Sequence, residues 1–163
     1  MLPDNKVPKL GSPGESYRET QLLNQLPMQD LSLNHNQHIQ RRDQTYFQSF
    51  VVARNDVALD VGHAIVIPKD ATTKENHDSN CKKCKEPMKG GDLAVVAPRF
   101  ALRDFWHPNC FTCLTCDELL VDLIYCVFDD QLFCERHYAE NLKPRCGACD
   151  ELIFAGQYTK VCT

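Results

Sequence analysis

The chain has 163 residues, 18 Lys and Arg against 22 Asp and Glu for a formal net charge of −4, and ten cysteines. No apolar run approaches the roughly 18 residues of a membrane span, and the first residues lack the apolar stretch of a signal peptide. The expected setting is therefore the cytosol or nucleus, where disulfides are disfavoured and ten thiols point to metal.

The cysteines all lie at or after position 81. Charge does not divide the chain in the same way: residues 1–80 carry 8 basic and 10 acidic groups, and residues 81–163 carry 10 and 12, so each part is −2. Neither part offers the basic patch that phosphate binding wants.

In chain order, Ser16 and Glu19 have capping-box spacing, and Leu22, Leu23 and Leu26 give an apolar face before Pro27 ends the helix. Residues 30–37 are polar and turn-like. Ile39, Tyr46, Phe47, Phe50, Val51, Val57, Ala58 and Val61 recur in three- and four-residue steps, which predicts a second amphipathic helix over residues 38–60. Its stripe is expected to form the core of an incomplete domain. A partner helix, a zinc module of this chain or a like module elsewhere are its other candidate partners. Residues 62–68 read as a strand or docking segment, and residues 69–80 as a linker. His35, His38, His63 and His77 have no cysteine partner nearby in sequence and read as solvent or loop histidines.

The second part is organised by donor pairs. Cys81-x2-Cys84 is followed after 22 residues by His107-x2-Cys110, then directly by Cys113-x2-Cys116, and after 17 residues by Cys134-x2-His137. Each pair chelates one ion from a tight turn, and two pairs supply the four ligands of a closed tetrahedral zinc site. Cys81, Cys84, His107 and Cys110 form one predicted site, and Cys113, Cys116, Cys134 and His137 the next. Both are Cys₃His with no position left for water, so the cofactors expected are two structural Zn²⁺ ions. A further pair, Cys146-x2-Cys149, lacks a matching second half. It is expected to be unfolded, with thiols open to alkylation. Cys126 and Cys162 stand outside the pairs.

The 57 residues from Cys81 to His137 cannot bury a large core unaided. Apparent zinc-binding energies of about 10–16 kcal/mol are comparable to a whole domain's stability, so the metals should decide whether this region folds. Residues 93–97 and 99–106 predict one hairpin, turning at Pro98. Residues 123–127 and 131–133 predict another, turning at Asp129 and Asp130. Residues 135–141 predict a short helix carrying His137 and stopped by Pro144. Phe111 should pack between the two zinc modules, and Trp106 should cover the first.

These residues resemble a complete LIM domain: Cys81-x2-Cys84, Trp106-His107-Pro108-x-Cys110-Phe111-x-Cys113-x2-Cys116 and Cys134-x2-His137 match all eight of its ligands. The stretches 118–125, 142–154, 7–15 and 21–27 are similar to the PET–LIM group of testin-like and prickle-like proteins. The resemblance implies small zinc-stabilised β-hairpin modules, a LIM domain of two treble-clef-like or zinc-ribbon halves, preceded by a partial α-helical PET region. It implies a partial PET domain at 1–68, a linker at 69–80, a LIM domain at 81–140 and the incomplete start of a second at 144–163. It also implies a zinc-binding adaptor for other proteins, of cytoskeletal, adhesion or planar-polarity type. Its setting would be the cytoplasm, cell junctions or focal adhesions, or the nucleus, with an intramolecular or homotypic PET–LIM contact available to it.

Two rival classes fare worse. An enzyme needs a poised nucleophile, a base or an open metal site, and every well-spaced ligand is already used. A nucleic-acid-binding or transcription-cofactor zinc finger is the alternative by metal chemistry. It should place Lys or Arg on a recognition helix. Residues 135–141 hold one Arg and two Glu, and six thiolates on two Zn²⁺ add two further negative charges. Lys82, Lys83, Lys85 and Lys89 cluster, with Glu86 among them, and read as a solvated face.

Overall fold

The computed structural model describes residues 2–57, 61–68 and 80–156. The expected linker at 69–80 lies almost wholly outside the described residues, as do Ala58, His77 and Cys162.

Helix α1 runs Pro13–Gln25 and opens one turn earlier than the Ser16 cap predicts. Ser12 and Glu15 repeat the Ser16 and Glu19 spacing, and Pro13 at the first helical position decides for the earlier start. The Glu15 carboxylate reaches back to accept from the Gly11 N–H at 2.6 Å. Gly14 is needed for a close approach, since a Cβ there would meet the Val7 carbonyl oxygen at 1.9 Å. The expected leucine face is not the buried one: Gln21 and Gln25 are buried while Leu23 is 75% exposed.

Helix α2 spans Gln44–Val57, shorter than the predicted 38–60. The N–H groups of Gln37 and His38, which a longer helix would leave at its start, instead donate to the Glu151 carboxylate at 2.6 and 3.1 Å. A 3₁₀ turn at Arg41–Asp43 leads into the helix. Residues 30–37, read as turn-like, overlap two more 3₁₀ turns, Met28–Asp30 and Leu33–His35.

Three strands make one antiparallel sheet in the order β1 (His63–Val66), β2 (Leu93–Ala97), β3 (Ala101–Trp106). The segment at 62–68 is thus both strand and docking element: His63 sits opposite Val96 and Val66 opposite Leu93, so β1 extends the first zinc hairpin. Strands β4 (Cys126–Phe128) and β5 (Gln131–Phe133) form the second hairpin. Asp129 and Asp130 turn it at φ of 46° and 59°, the left-handed conformation a two-residue hairpin turn requires. Helix α3, Glu135–Leu142, closes this module.

The main core contains Trp106, Phe111, Leu120, Tyr125 and Phe133. A second cluster joins Phe47 and Phe50 of α2 to Ala139, Leu152 and Phe154. The α2 stripe is therefore no core of a separate incomplete domain, as the sequence suggested. It packs on the zinc-rich part of the same chain, because one helical stripe lacks a second surface of its own. Phe154 receives the rings of Tyr46, Phe47 and Phe50 edge-on at 5.4–5.5 Å.

Candidate metal centre

One local structure recurs three times. The Cys81 N–H donates to the Glu86 carbonyl at 2.9 Å, Cys113 to Glu118 at 3.0 Å and Cys146 to Glu151 at 2.8 Å. In each turn a later N–H returns to the cysteine carbonyl at 2.9 Å, from Lys85, Asp117 and Asp150. Those three residues have φ of 64°, 53° and 61°. Asp is among the residues that tolerate this conformation best, and Lys85 is held in it by the same two bonds. The turn aims the two sulfurs of each Cys-x2-Cys pair toward one point.

The expected unfolding from Cys146 onward is overturned over residues 146–156, and the rest of that stretch lies outside the described residues. The third turn is closed by its own bonds and an Arg145–Leu152 bridge, and Leu152 and Phe154 are buried against α2. Phe47 and Phe50 of α2 supply the surface on which Leu152 and Phe154 pack. Cys126 is 1% exposed and belongs to the core rather than to any donor set.

The two predicted donor sets assemble. Cys81, Cys84, His107 and Cys110 place four ligand atoms within 4.8 Å of one another, and so do Cys113, Cys116, Cys134 and His137. Ligand bonds of about 2.0–2.3 Å in a tetrahedron put donor atoms about 3.3–3.8 Å apart. His107 Nδ1 is 3.3 Å from Cys84 Sγ and 3.9 Å from Cys110 Sγ. His137 Nδ1 is 3.1 Å from Cys134 Sγ and 3.6 Å from Cys113 Sγ. Both sets fit a Zn²⁺ ion. Glu140 lies 3.9 Å from His137 Nε2, too far for a hydrogen bond, and its Oε1 pairs with Arg136 and Arg145.

Local chemistry prepares one readily ionised sulfur in each set. Burial pushes the Cys81 thiol up, but the N–H groups of Cys84, His107 and Lys83 outweigh it and bring it down to about 7. Burial and the neighbouring Cys81 sulfur push Cys110 up to about 12. In the second set the hydrogen bond from Cys134 holds Cys113 down at about 4, and the same bond pushes Cys134 up. A dication binding here displaces the remaining protons, which makes retention fall in acid.

Phe111 occupies the joint between the sets as expected. It is fully buried, with Trp106 and Tyr125 edge-on at 5.4 and 5.6 Å. Gly62 lies against it so closely that a Cβ there would come 2.2 Å from the ring. Trp106 is buried beside His107 under Phe100, with Lys82 Nζ 3.8 Å above the Phe100 ring.

Sequence reasoning missed the polar contacts between the two parts. Asp30, read as a turn residue, is fully buried and paired with Arg145 at 2.7 and 2.9 Å. Tyr17 donates to Glu118, Arg18 Nη1 to the Val121 carbonyl at 3.2 Å, and Gln29 Nε2 to Asp150 at 2.9 Å. His38 has a carboxylate partner after all, Glu151 at 3.4 Å, and forms a third group with Cys149 and Glu151 whose ligand atoms also lie within 4.8 Å of one another. Only the i, i+4 spacing of Gln21 and Gln25 gave a signal, and glutamines at that spacing ordinarily face water.

Two motifs therefore meet in one framework, a helical N-terminal part and a pair of fused Cys₃His modules. Residues 1–65 match the PET domain and residues 81–142 match the LIM domain, so the chain carries both and belongs with the PET–LIM proteins. It is 44% identical over 160 residues to the protein espinas of Drosophila pseudoobscura pseudoobscura, a match covering 98% of this chain and 19% of that protein. It is 43% identical to mouse prickle-like protein 1 (98% and 18% covered) and 42% to human prickle planar cell polarity protein 3 (98% and 25%). The chain thus spans about a fifth to a quarter of the length of these relatives.

Proposed function

We propose that this chain is a zinc-stabilised adaptor that binds other proteins and performs no catalysis. Cys81, Cys84, His107 and Cys110 would hold one Zn²⁺, and Cys113, Cys116, Cys134 and His137 a second. Each LIM half then becomes a treble-clef-like or zinc-ribbon module. The zinc supplies bonds that cross-link short hairpins. The closure of both donor sets by four protein atoms each carries this reading, because such a centre leaves no position for an activated water. Rigid hairpins with exposed edges offer a partner strand pairing and side-chain docking at little ordering cost. The kinship with prickle-like proteins supports partners among polarity, adhesion or cytoskeletal components, with the cytoplasm and cell junctions as the setting.

Several basic groups near the centres are engaged within the chain, which disfavours a nucleic-acid role. Lys82 pairs with Asp104 at 2.7 Å, Lys83 with Asp117 at 2.7 Å, and Arg136 of α3 with Asp150 and Glu140. No described helix is long and apolar enough to cross a membrane.

Affinity capture with the zinc-loaded chain, set against Cys134→Ser, tests the proposal. A defined group of proteins recovered by the loaded chain and lost with the variant is the expected result. Retention on duplex DNA at about 0.15 M salt, lost as salt rises, would favour nucleic acid instead.

A further inference from the structure

The buried face of α1 is made of amides where leucines stand ready. Gln21 and Gln25 are 3% and 5% exposed, while Leu23 faces water. Burying an amide is unfavourable unless its groups are bonded, so this face calls for a chemical reason. The i, i+4 spacing stacks the two side chains on one side of the helix. Gln21 Nε2 donates to the Leu119 carbonyl and also lies 3.3 Å from Gln25 Oε1. A backbone carbonyl can only accept, so the Leu119 contact fixes which end of the Gln21 amide points inward, even though Gln21 Oε1 is left without a partner. With its oxygen turned to Gln21, Gln25 presents its NH₂ to Cys116 Sγ at 4.0 Å. A cavity of about 430 Å³ lined by Tyr17, Gln21, Gln25, Cys116 and His137 separates α1 from the second donor set, and the two glutamines bridge it.

We propose that Gln25 is a positioning residue for the second metal centre, its amide donating to Cys116 so that docking of the PET helix slows loss of the ion held there. This inference rests on the zinc reading above. Three thiolates and an imidazole around Zn²⁺ leave a net charge of −1, and a hydrogen bond to sulfur disperses that charge and disfavours protonation of the ligand. The first centre is the internal control. Its Cys84 is exposed, and among the described residues no N-terminal side chain hydrogen-bonds to its donors. By reciprocity, whatever the helix does for the metal the metal does for the helix. The centre would thus report on whether the N-terminal part is docked.

The test follows zinc transfer from the full chain to a chromophoric chelator, together with cadmium NMR of the cadmium-substituted chain. Gln25→Leu keeps size and removes the donor. Leu22→Ala loosens the same helix without touching the amide. Loss of a partner that bonds a ligand typically weakens retention about 10–100-fold. We expect Gln25→Leu to release the second ion at least about tenfold faster, with the first ion unchanged. The second cadmium resonance should move in Gln25→Leu and stay in place in Leu22→Ala. Equal acceleration in both variants, or wild-type release and unmoved resonances in Gln25→Leu, overturns the inference while leaving two bound ions intact. A wild-type chain holding fewer than two ions overturns the zinc reading and this inference with it.

Discussion

The N-terminal helices and the zinc-rich part solve the same problem in opposite ways. The zinc-rich part has its own core, with Phe111, Leu120 and Tyr125 buried between two metal-ready knuckles. Helices α1 and α2 have almost none: their buried residues are Gly14, Gln21, Gln25, Phe47, Phe50 and Arg54, and Phe47 and Phe50 reach their aromatic partner only across the junction, at Phe154. In the proposed reading the cysteine-rich part folds around ions, and the helices fold onto it. A region without a metal or a closed core depends on a neighbour, however regular its helices look in sequence.

The comparison breaks most severely if the metals are removed. Apparent zinc-binding energies of about 10–16 kcal/mol exceed or match a typical domain's stability of about 5–15 kcal/mol. A strong chelator should therefore collapse the amide dispersion of both hairpins in proton–nitrogen NMR, and Cys113→Ser should do so for the β4–β5 module. Smaller but still large is the effect at Asp30, whose carboxylate is fully buried against Arg145, itself 8% exposed. Removing one partner of a buried pair costs about 3–5 kcal/mol. Urea unfolding of Asp30→Ala should show a loss of this order. The double variant Asp30→Ala, Arg145→Met should recover part of it, since no charge is then left unmatched.

Phe154→Ala removes the ring on which Tyr46, Phe47 and Phe50 converge, and about 3 kcal/mol should be lost. Leu10→Ala, at a side chain 94% exposed, should stay within about 0.5 kcal/mol of wild type in the same urea unfolding. Gly62→Ala sharpens the contact between β1 and Phe111. The added methyl would lie within 2.2 Å of the ring, and overpacking of this kind costs about 1–3 kcal/mol.

The smallest effect is that of pH on Asp150. The paired Arg136 guanidinium holds its carboxyl below the usual carboxylate range. A carboxylate depressed in the folded state contributes stability above its unfolded value near about 3.9 and loses it as pH falls through the folded value. At neutral pH, where the donor sets keep their metal, wild type should therefore be slightly more stable than Asp150→Asn, with the gap narrowing as pH is lowered. The site is half exposed, so screening keeps the difference small.

What was legible in the sequence follows the same division. Chelation fixes spacing locally, so the eight donors, both hairpins and the α3 helix could be read from pairs two residues apart. The packing of Phe111 followed from its place between Cys110 and Cys113. The helix boundaries were harder, because two Ser-x-x-Glu sequences compete at the start of α1 and Glu151 captures the amides that would have begun α2 early. The sequence named a zinc module of this chain among the candidate partners of the α2 stripe, but not the residues that make the junction. Asp30 and Arg145 lie 115 positions apart, and nothing in either neighbourhood marks them as partners. The turn at Cys146 and Cys149 was misread as unfolded for that reason: Leu152 and Phe154 beside it pack on Phe47 and Phe50 of α2.

Hydrogen exchange of the full chain with and without a strong chelator tests most directly whether the N-terminal helices depend on the zinc-built part. The account expects the amides of α1 and α2 to lose protection together with those of β2, β3 and β4 once the metal is withdrawn. Helices that keep their protection while the hairpins exchange freely would contradict it.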